Sequence, residues 1–421
     1  MHRVVEFLLA LTTVKKCRPK TVKINDIPAK NIKNFCGDIR NSDRVSQHIK
    51  QMTDEEMITN YNFVSGNYLT YLGILWLGNA QQRSRISFPI TVQYIVYDHL
   101  ERKIRKINWH DNLLNPAQLL LDIERQAIEL TYFHEFPDGL FRTQIRHYHP
   151  KVIRELLLNA FAHESFTISA DIMIEVYPDR IEISNPGGLP LGVTANNILH
   201  ARQRRNPDFI RVMQDLKLME GEGSGYDLIY ELNAMYTKEL PVVYSDFNTT
   251  KVIQTSKIIN EEMLPVLDYV TKNYDISQKN LIALGLIVAH KKLLSTKLIE
   301  LLQLDDNKKM RSYVDNLVSL EIIVTRGIKK GNEFLINPKI IANSKANIKT
   351  SLKTMEPHRL KALIEEDLRL NLKSKSADIQ KRLVDIPIKE IRKYLVLMER
   401  EGIIISDGMK KSKMYLLSKK N

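Results

Sequence analysis

Glu155 and Asn159 stand four residues apart in PKVIRELLLNAFAHE, Pro150 to Glu164. Proline at a first helical position followed by strong helix formers predicts a helix. A spacing of four puts both side chains on one face of it. A carboxylate beside an amide oxygen offers two kinds of chemistry. The carboxylate can activate a water, and the amide oxygen can ligate a hard cation such as Mg²⁺, with waters and phosphates completing its octahedron. By itself E-x-x-x-N is common on exposed helix faces, so the pair gains meaning only from partners elsewhere in the chain.

Two glycine-bearing turns are candidates for those partners. Ile172 to Tyr177 and Arg180 to Ser184 read as strands joined by Pro178-Asp179. The second runs into Asn185-Pro186-Gly187-Gly188, where the glycines allow a ligand close to the backbone. Further on, EGEGSGYDLIYE, Glu220 to Glu231, sets Gly221, Gly223 and Gly225 before a helix beginning near Tyr226, and free N–H groups at such a start bind phosphate. Either turn alone reads as a tight turn or a helix end. Together they give an order: helix with E-x-x-x-N, hairpin ending in a glycine turn, polar segment, G-x-G-x-G opening a helix, and closing strands near Val242 and Thr250.

That order resembles the GHKL-type ATP-binding domain, the fold shared by gyrase, a heat-shock chaperone, histidine kinases and MutL. The resemblance spans about residues 45–258 and looks closest to the branch labelled RecG-like helicase C-terminal, often attached to a Schlafen-type AlbA domain. It is carried by RELLLNAFAHESF, IEISNPGGLP, RRNPDFIRVMQDLKLME and GSGYDLIYE. It implies a GHKL (Bergerat) α/β sandwich holding ATP and Mg²⁺, with Glu155 as general base, Asn159 as Mg²⁺ ligand, Asn185 facing the adenine amino group and Gly187 approaching the base. Gly221, Gly223 and Gly225 would meet the phosphates, and Thr249 or Thr250 would complete the adenine end. Arg202, Arg204 and Arg205 would belong to a lid within residues 190–220. Most GHKL proteins place aspartate where Asn185 stands, and an amide oxygen can also accept from an amino group. Residues 1–45 show nothing that matches the AlbA portion, so its nucleic-acid chemistry is not carried over. A helicase motor is not implied either, because the chain has no G-x-x-x-x-G-K-[ST] P-loop.

The elements around this region divide the chain. Thr53 with Glu56 reads as a capping box for a helix ending near Asn60. Leu69 to Gly78 is a nearly continuous apolar helix, residues 88–98 alternate like a strand, and Pro116 to Leu130 read as an amphipathic helix. In the tail, Tyr313 to Ile336 matches Tyr394 to Leu417 without a gap. Each copy runs from a helix into a β-branched strand, a G-x-K-K turn and a return strand, with two more helical stretches upstream. Helix, helix, helix and hairpin predict a winged helix-turn-helix, twice. The last helix of each copy carries Lys308, Lys309 and Arg311 or Lys389, Arg392 and Lys393; the turns carry Lys329 and Lys330 or Lys410 and Lys411. All ten are candidates for contact with duplex DNA. The expected architecture is α+β: an unassigned segment 1–45, an α+β support region 46–149, the ATP-binding domain 150–258, and winged helices at 259–342 and 343–421.

Charge and composition set the surrounding limits. The chain has 421 residues and a formal net charge of +13, and residues 257–421 hold 32 of its 62 Lys and Arg but only 20 of its 49 Asp and Glu. A near-neutral body joined to a basic tail predicts two joined functions, with DNA as the tail's partner. Cys17 and Cys36 belong to no metal-binding or disulfide pattern, which fits a reducing cytoplasm. The apolar run Val4 to Val14 is interrupted by Glu6 and followed by Lys15, Lys16 and Arg18, unlike a secretion signal. No run of 18 apolar residues predicts a membrane span. The reading is therefore a slow ATPase acting as a nucleotide-dependent switch for DNA binding, a transcription regulator, with homodimerisation expected by analogy alone. Its rival is an inactive ATP-binding module whose tail docks proteins. A histidine kinase fits less well, because His147 and His149 lie too close to the E-x-x-x-N helix to sit on a separate dimerising helix.

Overall fold

Local signals set the helix starts. Thr53 accepts from the Glu56 amide while Glu56 reaches back to the Thr53 amide, closing a capping box on the helix Asp54–Asn60. Asn115 and Gln118 do the same for Pro116–Gln126, and Pro150 opens the helix Pro150–Ala162 after His149 accepts from Lys151.

The computed structural model describes residues 22–86, 89–138, 141–219, 225–327, 332–344, 346, 357–383, 386, 388–408 and 413–418. The chain forms two compact units, divided after Ala346. The first begins with α1 (Ala29–Asn41), α2 (Gln47–Lys50), α3 (Asp54–Asn60), the short pair β1 (Val64–Ser65) and β2 (Tyr68–Leu69), α4 (Tyr71–Leu77) and α5 (Ala80–Arg83). Then come β3 (Val92–Tyr97), β4 (Lys103–Trp109), α6 (Pro116–Gln126), the hairpin β5 (Phe133–Asp138) and β6 (Phe141–Arg146), and α7 (Pro150–Ala162). They are followed by β7 (Ile172–Val176), β8 (Arg180–Pro186), α8 (Pro207–Asp215), α9 (Gly225–Met235), β9 (Val242–Ser245) and β10 (Thr249–Thr255).

Six of these strands make one mixed sheet in the order β4-β3-β7-β8-β10-β9. Only β3 and β7 run parallel, with Val92 opposite Ile172. Strands from residues 46–149 and from 150–258 thus share one sheet, and a single apolar cluster extends from Val22 to Leu232. The α+β class read from the sequence holds.

Still within the first unit follow α10 (Leu264–Asn273), α11 (Gln278–His290), β11 (Lys292–Leu294), α12 (Ser295–Leu301), α13 (Asn307–Ser319), β12 (Ile323–Arg326), β13 (Glu333–Ile336) and α14 (Pro338–Asn343). Helix α11 lies directly on α9, where a Cβ on Gly285 would stand 2.5 Å from both the Cβ and the carbonyl oxygen of Ala234. The second unit holds α15 (Pro357–Asn371), α16 (Ser376–Arg382), α17 (Ile388–Arg400), β14 (Ile404–Asp407) and β15 (Met414–Leu417) around its own apolar cluster. The ungapped sequence repeat reappears as structure: Leu293 pairs with Phe334 in one copy, and Ser374 with Tyr415 in the other. Among the described residues no helix is long and apolar enough to cross a membrane.

Candidate functional site

Helix α7 turns a polar stripe into the protein. Glu155 is buried, Asn159 is half-buried one turn on, and His163 follows at the helix end after one more turn. All three line one cavity of about 130 Å³. Its facing wall is the sheet, where Asn185 of β8 and Thr250 of β10 are cross-strand partners. A third side is the start of α9, Gly225 and Tyr226, and the roof is the segment between β8 and α8, including Val193, Ile198, Arg202 and Arg204.

Hydrogen bonds orient these groups. Asn185 Nδ2 donates to the carbonyls of His163 at 3.3 Å and Pro186 at 3.2 Å. Both amide hydrogens are thereby directed at backbone, so the side chain's further capacity is that of an acceptor, Oδ1. Thr250 Oγ1 donates to the Gly187 carbonyl at 2.9 Å, holding the glycine turn, where Gly187 has φ +98°. From below, Arg205 Nη2 donates to the Gly188 carbonyl. Asn206 Nδ2 donates to the carbonyls of Ala162 at 3.1 Å and Glu164 at 2.8 Å, so the Asn206-Pro207 step ties the start of α8 to the end of α7.

Two buried polar atoms of the stripe, Asn159 Nδ2 and His163 Nδ1, have no hydrogen-bond partner. A polar group left in this state costs about 1–3 kcal/mol, so the fold tolerates here what it satisfies almost everywhere else. Burial, and secondly the Arg205 charge, push the His163 imidazole down to about 4. It is therefore neutral at physiological pH and carries one donor and one acceptor. The Glu155 carboxylate lies against Gly225, and any Cβ at that glycine would overlap Oε1. The start of α9 can approach the carboxylate this closely only as glycine.

The structure therefore brings Glu155, Asn159, Asn185, Thr250 and Gly225 to one cavity, roofed in part by Arg202 and Arg204. Gly188, rather than Gly187, lines the cavity, and Thr249 uses its amide on Asp246 Oδ1 at 2.7 Å. Gly221 and Gly223 fall outside the described residues. His163 is a further lining residue beyond those expected from the sequence, where its one-turn spacing from Asn159 is the available signal. In the tail, Lys308, Lys309 and Arg311 on α13 and Lys389, Arg392 and Lys393 on α17 are exposed. Lys309 is paired with Asp305 at 2.7 Å and Lys393 with Glu390 at 3.6 Å. Lys329, Lys330, Lys410 and Lys411 lie outside the described residues. Among the described residues no group of three or more His, Cys, Asp or Glu could hold a metal.

Residues 169–253 match the protein family described as "Putative ATP-dependent DNA helicase recG C-terminal". The region from β7 into β10 is thus similar to an ATPase-like family. The matched span contains Asn185, Gly225 and Thr250 but not α7. The crystal structure of the DIP2311 protein from Corynebacterium diphtheriae superposes with a TM-score of 0.60 at 15% identity, over 97% of this chain and 70% of that one. At that identity the likeness is one of fold. No curated protein matches the chain.

Proposed function

We propose that the chain binds ATP with Mg²⁺ in this cavity, in a GHKL-type domain. The bound nucleotide then switches DNA contact by the two helix-and-hairpin modules, read as winged helix-turn-helices. The observation that carries the nucleotide reading is the convergence of Glu155, Asn159, Asn185, Gly225 and Thr250 on one cavity. Asn185 Oδ1, free to accept, suits the 6-amino group of adenine and opposes the 6-oxo group of guanine. Asn159 offers its amide oxygen to Mg²⁺, an ion that takes few protein ligands and keeps waters and phosphates, so no cluster of carboxylates is required. Bound there, Mg²⁺ would neutralise phosphate charge. Glu155, one helical turn away, then serves as the base that orients and deprotonates the attacking water.

Calorimetry with Mg·ATP tests the reading. The chain should bind ATP at least tenfold more tightly than GTP, since a buried acceptor facing an oxo group is left unpaired. Asn159→Ala should lose the Mg²⁺-dependent part of the affinity, while Glu155→Gln should bind ATP and lose roughly a hundredfold in turnover. Equal affinity for ATP and GTP, with or without Mg²⁺, would sink it. The docking alternative draws on one observation, the seat of the first tail module on α9 through Gly285 and Ala234, which is a protein contact already made.

A further inference from the structure

The roof of the cavity is held from the far side by a residue of the first tail module. Gln303 follows α12, in the turn that leads to α13. Its Oε1 accepts from the Leu199 amide at 2.9 Å, and its Nε2 donates to the Ala195 carbonyl at 2.9 Å and to Tyr230 Oη, on α9, at 3.1 Å. One residue earlier, the Leu302 carbonyl is 2.8 Å from His200 Nε2. Ile198, between the clamped positions, lines the cavity directly.

We propose that Gln303 is a positioning residue for the nucleotide site: from the tail module it holds the roof in the arrangement that receives the nucleotide, and so couples the site to the turn between α12 and α13. The inference rests on the nucleotide reading above. The geometry supports it in three ways. A single amide uses its acceptor and its donor on two backbone positions of one segment, Ala195 and Leu199, fixing that segment in both directions. The same amide reaches α9, whose first residue touches Glu155, so the roof, the phosphate end of the cavity and the tail turn share one set of bonds. Finally, Gln303 adopts φ +53°, a left-handed conformation that is strained for a residue with a Cβ. Glycine would relieve that strain, so a glutamine here costs backbone energy that its side chain must offset.

Coupling of this kind is reciprocal. If the clamp favours nucleotide, nucleotide favours the clamped turn, and whatever contacts the face that follows the turn, α13 with Lys308 and Arg311, feels the state of the cavity.

The test uses the full chain and the variant Gln303→Gly, which removes the amide and relaxes the backbone. Without nucleotide, trypsin should cut after the exposed Arg202 and Arg204 about tenfold faster in the variant. With Mg·ATP, calorimetry should give an affinity roughly tenfold weaker than wild type, while the melting temperature of the nucleotide-free variant is no lower. A merely structural Gln303 would lower the melting temperature along with the affinity, and that result, or unchanged cleavage, or unchanged affinity, overturns the proposal. If the wild-type chain binds no Mg·ATP, the nucleotide reading itself fails, whereas a cleavage difference seen without nucleotide shows that the clamp exists apart from it.

Discussion

Residues that cost a protein stability without an internal partner are informative about ligands, and His163 is one such case among the described residues. Its Nδ1 is buried and unpartnered, and the residue lines the cavity one turn beyond Asn159. His163→Phe removes the orphan atom while keeping an aromatic ring, so the nucleotide-free protein should melt higher, by the equivalent of about 1 kcal/mol. The gain should grow as pH falls from 6.5 towards 4, because the unfolded wild-type chain binds a proton in that window that the folded imidazole refuses. Mg·ATP affinity should fall about tenfold in the same variant. Thermal melts from pH 4.5 to 7.5 beside calorimetry at pH 7.5 decide it; a lower melting temperature with unchanged affinity would make His163 an ordinary helix-end residue. Glu155 and Asn159 were legible in the sequence because spacing alone puts them on one helix face. The same spacing puts His163 on that face, but a sequence does not show whether a partner awaits its ring.

Between elements, legibility follows the range of the interaction. The starts of α3, α6 and α7 are set by Thr53, Asn115 and Pro150 within a few residues, and the sequence marks them. The parallel pairing of β3 with β7 is fixed by contacts about eighty residues apart, which leave no local period to read. Nor does periodicity reveal that α11 lies flush on α9. There, substitution pits two effects against each other. Gly285→Ala gains about 1 kcal/mol of helix propensity, yet its Cβ would meet the Ala234 carbonyl oxygen and Cβ at 2.5 Å, and backbone cannot step aside as a side chain can. Overpacking of this kind costs about 1–3 kcal/mol, so the overlap should win and the melting temperature should drop. Because α9 begins at Gly225, against Glu155, the shift should also weaken Mg·ATP binding several-fold. A variant that melts higher than wild type would show that the two helices separate freely and that α11 has no hold on the cavity.

At the scale of the whole molecule, the sequence repeat gives two copies of one architecture, and the structure puts them in different circumstances. The first is part of the unit that contains the cavity, with Gln303 on the roof and Gly285 on α9. The second forms a unit with its own core. Charge divides the same way: residues 347–421 carry 18 Lys and Arg against 10 Asp and Glu, an excess twice that of residues 257–346, which carry 14 against 10. Each helix has one paired lysine, and the pair on α13, Lys309 with Asp305 at 2.7 Å, is closer than that on α17, Lys393 with Glu390 at 3.6 Å. If the tail contacts duplex DNA, phosphate attraction should therefore come mainly from α17. In the full chain, replacing Lys389, Arg392 and Lys393 together with alanine should weaken binding to random-sequence duplex more than replacing Lys308, Lys309 and Arg311. Each phosphate contact removed should flatten the slope of log K against log salt by roughly 0.9, which separates lost charge contacts from a misfolded module. Fluorescence anisotropy over a salt series measures both. Equal losses from the two sets would return the copies to a shared role on DNA. Binding that is absent or insensitive to salt in the wild-type chain would remove DNA from the reading and leave the tail as a docking surface for proteins, consistent with the use the first copy already makes of α9.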